Sequence, residues 1–156
     1  MVMTAPDTTQ TTSKVWLKAQ AQKMKTETTM EGQTAILIID WNANVMYNYM
    51  PDQNLAFKMD LSSAPESPVE STESIEDYHP VVLGTETYDG KECLVVQYTA
   101  AGAQTKEWIW KQYGFPVKIV TTTSEGTTTV EYKNISFSSI SDSVFELPPG
   151  VQIMQM

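Results

Sequence analysis

Gly84-Thr85-Glu86-Thr87-Tyr88-Asp89-Gly90-Lys91-Glu92-Cys93-Leu94-Val95-Val96-Gln97-Tyr98 decides the fold. Asp-Gly supplies two consecutive residues that tolerate left-handed backbone, which a tight antiparallel hairpin requires. Its flanks, 81–88 and 91–100, are rich in β-branched and aromatic residues, the composition of paired strands. After the turn, Leu94, Val96 and Tyr98 recur at every second position, so they share one face of a strand.

The same grammar continues toward the C-terminus. Ala101-Gly102-Ala103-Gln104 turns the chain into a strand over 105–111, where Trp108 and Trp110 share a face. Tyr113-Gly114-Phe115-Pro116 is another turn, and 117–123 with 127–135 form a second hairpin about Ser124-Glu125-Gly126. Pro148 and Pro149 end regular pairing, so 137–156 is expected to pack as an irregular edge segment.

Toward the N-terminus, 14–18 and 23–28 read as strands, and Thr34-Ala35-Ile36-Leu37-Ile38-Ile39-Asp40 is an apolar run of strand length expected to be buried on both faces. Strands at 45–50 and 54–60 follow. In the latter, Leu55, Phe57 and Met59 fall on one face, with Lys58 and Asp60 on the other. Residues 62–79 form a long acidic loop with Pro65 and Pro68, in which 70–78 is expected to make a short helix with Ile75 and Tyr78 inward. Residues 1–13, rich in Thr, are expected to be a flexible N-terminal tail, leaving 14–156 as a single β domain. The count is about ten strands with little helix.

The chain has 156 residues, 41% of them hydrophobic, which suffices for a full core. Nineteen acidic residues oppose ten basic ones, giving a formal charge of −9, and every basic residue is lysine. Without arginine the chain lacks the bidentate clamp for phosphate, and its acidity repels polyanions, so no nucleic-acid partner is expected. No run approaches the length of an apolar membrane span, and residues 1–13 do not have the apolar core of an export signal.

Few residues offer chemistry. Cys93 is the one cysteine and His79 the one histidine, too few for a Cys/His zinc site. No cluster of lysines or histidine flanks Cys93 to activate its thiol, so it reads as buried and inert. His79 has no nucleophile partner in any recognisable pattern. The acidic run 66–77 could meet Ca²⁺ but lacks the alternating spacing of a dedicated loop, and Asn134-Ile135-Ser136 is a glycosylation sequon placed on an expected strand. No catalytic residues, metal or cofactor are expected, and the chain is not expected to be an enzyme. Trp16, Trp41, Trp108, Trp110, Met46, Met50, Phe57 and Met59 are many large apolar groups for a thin sheet. Core packing accounts for some of them, and a partly open apolar face, to which methionine adapts well, for the rest.

Several segments resemble the outer-membrane lipoprotein-sorting (LolA-like) superfamily over about 14–152: Trp16-Leu17-Lys18 with 23–28, 47–51 with 56–59, 84–93, Trp108-Ile109-Trp110 with 114–119, 134–137 and 144–150. The resemblance implies a mainly β fold: a strongly curved antiparallel sheet, an unclosed barrel, with little helix. It implies a concave face that binds acyl chains of lipids or lipoproteins, in an extracytoplasmic carrier or sensor of the cell envelope. On that basis Leu55, Phe57, Met59, Leu94, Val96, Trp108 and Trp110 are expected to line one concave apolar face. The alternative is a signalling module of the same fold whose core is filled and which binds an envelope protein partner. Elements that usually precede the Trp-containing strand in that superfamily are replaced here by a polar stretch. An open edge is therefore expected at 14–20, through which two chains could pair as a homodimer, although Lys14 and Lys18 oppose such pairing.

Overall fold

The computed structural model describes residues 1–7, 9–61, 64 and 74–155. Strand makes up 59% and helix 11% of the structure, in antiparallel-dominated sheet that is not closed. That is the fold class read from the sequence. The chain packs as two compact units, Met1–Thr11 with Glu66–Ile135, and Thr12–Pro65 with Ser136–Met156.

The first unit contains β1 (Val2–Thr4), β7 (Val81–Tyr88), β8 (Lys91–Ala100), β9 (Ala103–Trp110), β10 (Phe115–Thr123) and β11 (Gly126–Glu131), in the order β1-β11-β10-β9-β8-β7. The β7–β8 turn has Asp89 at φ 48° and Gly90 at φ 72°, the two left-handed residues that the deciding stretch supplies. β8 and β9 are joined by the two-residue turn Ala101-Gly102, shorter than the four-residue turn expected, so that Ala100 faces Ala103 across the hairpin.

The expectation of a flexible tail over 1–13 is corrected. Val2, Met3 and Thr4 pair with Glu131, Val130 and Thr129 of β11, because three residues with extended-chain propensity meet an otherwise open strand edge. The chain then doubles back where the Ala5 amide donates to the Thr9 carbonyl at 2.9 Å and Asp7 Oδ1 accepts from the Thr9 amide at 2.9 Å.

The second unit contains β2 (Gln10–Lys18, whose residues from Ser13 onward pair with β3), β3 (Lys23–Met30), β4 (Gln33–Asp40), β5 (Val45–Met50), β6 (Leu55–Met59) and β12 (Gln152–Gln155). Its order is β12-β6-β5-β4-β3-β2. β4 is buried on both faces, as expected. Ile36 and Ile38 join Tyr49, Ala56 and Phe145 on one side. Ile39 joins Met24 and Met46 on the other.

The segment 137–156 is more ordered than expected. A 3-10 turn, Asp142–Phe145, drives Phe145 into the first of those faces, and Ile140, Val144, Leu147 and Val151 pack around it. Lys18 holds the turn through Asp142 at 2.7 Å. Beyond Pro148 and Pro149, β12 pairs with β6 in parallel, fixed at its start by the Gln152 amide donating to the Asn54 carbonyl at 3.0 Å. The prolines end one arrangement without preventing another, since the N–H groups that β12 needs come after them.

Of the acidic loop, residues 62, 63 and 65–73 lie outside the described residues. Of the short helix expected over 70–78, the described part is a 3-10 turn, Ser74–Tyr78, in which Ile75 is buried at 4% exposure and Tyr78, expected inward, is 45% exposed. Asn134 lies past β11, exposed and at φ 54°, so the sequon is in a turn and not on the strand expected there.

Candidate functional site

The two faces of the second unit differ in how they are finished. The Ala56 face is sealed by the Phe145 segment. On the opposite face, Met24, Ile39 and Met46 are buried, and Val15, Leu17, Leu37, Trp41, Met59, Leu61 and Ala64 pack against them only partly buried. Strand alternation continues this face along β5 and β6 through Met50, Leu55 and Phe57, each half-buried. Register supports the grouping, since Met46 pairs with Met59, Asn48 with Phe57 and Met50 with Leu55. At the edge, Met154 registers with Phe57 and is 53% exposed. The outcome is a methionine-rich apolar surface, dry at the Ile39 end and open at the Phe57 end, with Asn48 as its polar interruption. Leu55, Phe57 and Met59 thus share one face of β6.

The first unit divides the remaining four. Val95 pairs with Trp108 and Cys93 with Trp110, whereas Leu94 pairs with Ile109 and Val96 with Glu107. Trp108 and Trp110 therefore lie on the side of Cys93 and Val95, and Leu94 and Val96 lie on the reverse. The expectation that all four line one face is corrected. The physical reason is parity: an even-membered antiparallel turn pairs an odd-numbered residue with an even-numbered one, so alternation within each strand does not by itself reveal which sets coincide.

The Trp108 side is filled. Trp108 packs with Cys93, Val95 and Val117 at 9% exposure, its indole N–H donates to Glu86 Oε2 at 2.7 Å, and Lys106 and Lys118 stand 4.4 and 5.0 Å from its ring. Burial pushes the Cys93 thiol up, which keeps it protonated and inert. Tyr88 donates to Glu131 on this side and is pushed up to about 12 by burial and that carboxylate, while the bond holds Glu131 below the usual range. Trp110 borders a shallow hollow of about 430 Å³ lined by Gly90, Lys91, Glu92, Lys111 and Gln112. Both lysines there are already paired, with Asp89 and Glu92.

The reverse side carries a residue that sequence reasoning passed over. Glu107 is 1% exposed, and burial holds its carboxyl above the usual range. Alternation with Trp108 and Trp110 marks Glu107 as belonging to a solvated face. The contrary signal is the apolar run Leu94-Val95-Val96 on the adjacent strand, which requires both sides to be covered. Among the described residues no group of three or more His, Cys, Asp or Glu side chains could hold a metal ion.

At the edge expected over 14–20, β2 is last in its unit's order, pairs through 13–18 with β3, and keeps Trp16, Leu17 and Lys18 half-buried. β12 ends the same unit's order with all four residues exposed. β7 is last in the order of the first unit, with Val81, Val82 and Leu83 at 61, 60 and 49% exposure.

The fold is thus an unclosed, antiparallel-dominated sheet whose second unit has one sealed and one open apolar face. The chain belongs to the family described as Domain of unknown function (DUF4412), whose pattern matches residues 1–113. It is 26% identical over 135 residues to the uncharacterized protein MJ0687 of Methanocaldococcus jannaschii, covering 80% of this chain and 39% of that protein. The chain thus spans about two fifths of the length of that relative. Among solved structures it is similar to an uncharacterized conserved protein from Thermus thermophilus, at TM-score 0.70 and 12% identity over 94% of this chain and 83% of that one. It is also similar to the complex structure of Pseudomonas aeruginosa MucA/MucB, at TM-score 0.62 and 10% identity over 99% of this chain and 56% of that one. At these identities the likeness is one of fold.

Proposed function

We propose that this protein binds lipid acyl chains or lipoproteins, without catalysis and outside the cytoplasm, on the apolar face of its second unit. The observation that supports this reading is the asymmetry between the two faces of β4: the chain seals one with its own Phe145 segment and leaves the other half-exposed around Leu55, Phe57 and Met59. Monomeric proteins rarely leave such a surface open unless something occupies it. Three methionines, Met24, Met46 and Met59, adapt to a flexible chain where branched side chains would fix a shape. A dozen buried methylenes contribute roughly 10 kcal/mol before the costs of association.

The test is displacement of a fluorescent fatty acid by long-chain lipid, with native mass spectrometry for a co-purifying lipid. Phe57→Ala and Met59→Ala are expected to weaken probe binding at least tenfold in a protein that still folds. Unchanged binding in both variants would count against an acyl site.

A second reading, a module that binds a protein partner, is favoured by the exposed apolar β7. A partner segment, or a second copy of the chain, could add a strand to its unpaired edge. The MucA/MucB structure is a protein–protein complex of the same fold. A Val82→Lys variant that loses a partner while keeping the fatty-acid probe would favour this reading over the first.

A further inference from the structure

Glu107 lies midway along β9, on the side shared with Val96 and, across the other strand, Ile119. Tyr98 donates to its Oε1 at 2.6 Å, while Oε2 is enclosed and has no hydrogen-bond partner among the described residues. The titratable groups around it are phenols: Tyr98 from β8, Tyr78 from the Ser74–Tyr78 turn by its stack on Tyr98, and Tyr132 beyond β11, which burial and the charge of Glu107 push up to about 12. No ion pair reaches Glu107 among the described residues. Lys106 and Lys118, adjacent in sequence and on the neighbouring strand, stand over the Trp108 ring on the opposite side. Glu76 and Asp77 of the turn are exposed.

The phenol that touches this carboxyl also carries the turn. The ring of Tyr78 stacks on that of Tyr98 at 5.4 Å and 15°, and Ile75 is buried as the turn packs against β8. We propose that Glu107 is a proton-operated latch: neutral, it holds the Ser74–Tyr78 turn closed on β8, and on ionising it releases the turn and opens the sheet side that carries Leu94, Val96 and Ile109. A carboxylate here has one donor and no cation among the described residues, so it needs water. Among the described residues, the buried Ile75 and the Tyr78–Tyr98 stack hold the five-residue turn to β8, and lifting it admits water without unfolding the sheet.

The sign follows from burial favouring the neutral acid. The closed form is fully favoured below the ordinary carboxylate range and is lost as pH rises through the raised value. The latch is independent of the second unit's acyl site, so either idea can fail alone.

Amide exchange of the full chain tests the latch. The His79 amide, bonded to the Glu76 carbonyl at 3.1 Å within the turn, reports its release, because a single turn is not stable once it leaves β8. After correction for base catalysis, its protection is expected to fall by up to about tenfold per pH unit between the ordinary carboxylate value and the raised value of Glu107, and to level off above it. Glu107→Gln, which keeps His79, Glu76 and Asp77, is expected to stay protected throughout. Constant protection in the wild type, or the same pH response in Glu107→Gln, would overturn the latch. Should Glu107→Gln not fold, the carboxyl carbon of Glu107 is titrated in the wild type instead. Titration coincident with the loss of His79 protection supports the latch, and titration at the ordinary carboxylate value overturns it.

Discussion

Replacing Phe145 and Phe57 separately with alanine distinguishes a sealed apolar face from an open one. Phe145 is 7% exposed and packs against Ile36, Ile38, Tyr49 and Ala56. Truncating a buried phenylalanine costs about 3–5 kcal/mol, from lost transfer free energy and the cavity left behind. The short turn Asp142–Phe145 can partly collapse into that cavity, which sets the expectation at the lower end, about 3 kcal/mol. Phe57 is half-buried, so its truncation forfeits about half of the 1.5–3 kcal/mol of a fully buried side chain, roughly 1 kcal/mol. Urea unfolding followed by tryptophan fluorescence measures both, because Trp16 packs beside Phe145. Equal m-values would confirm that the comparison is one of native stability. A Phe57→Ala cost as large as that of Phe145→Ala would refute the reasoning, since Phe57 would then be core and not the lining of an open surface.

Tyr88 and Tyr132 are each raised to about 12, so their contribution to stability is complete below pH 10 and is lost as pH rises toward 12; tyrosinate absorbance is expected to rise together with loss of near-ultraviolet circular dichroism, and ionisation of all tyrosines at their ordinary value would count against it. Gly126→Ala is expected to cost about 1–3 kcal/mol, because φ is 132° there and the added Cβ would stand 2.6 Å from Pro6 Cβ; thermal unfolding decides, and a neutral effect would mean that Pro6 does not rest on that hairpin. Removing residues 1–9 is expected to lower the melting temperature and expose the β11 backbone to amide exchange, as loss of β1 requires; an unchanged melting temperature would restore the description of these residues as a tail.

Local chemistry made much of this fold legible. Asp89-Gly90 dictates a hairpin between its strands, and the run from Ile36 to Ile39 could satisfy itself only in a strand covered on both sides. What escaped depends on partners distant in sequence. Val2–Thr4 finds the edge of β11, and Gln152–Gln155 that of β6. The grouping of Trp108 with Val95 is legible in principle from turn parity, but strand-by-strand alternation conceals it. Glu107 looks solvated on its own strand but is buried and bonded to Tyr98 of β8, which no local pattern connects to it.

The second unit is discontinuous: Thr12–Pro65 and Ser136–Met156 meet only after Glu66–Ile135 has been made. During synthesis the β4 face that Phe145 will close therefore stays uncovered while the whole intervening stretch emerges. The thermodynamic penalty of such a long connection is small, about 0.6 kcal/mol for each doubling of loop length. The kinetic exposure is not small, because contacts between distant residues form late. For that interval the nascent chain displays Ile36, Ile38 and Tyr49 to any chaperone or neighbouring nascent chain. A ribosome-stalled chain ending near residue 135 should be captured by a holdase, and the full chain should be released from it.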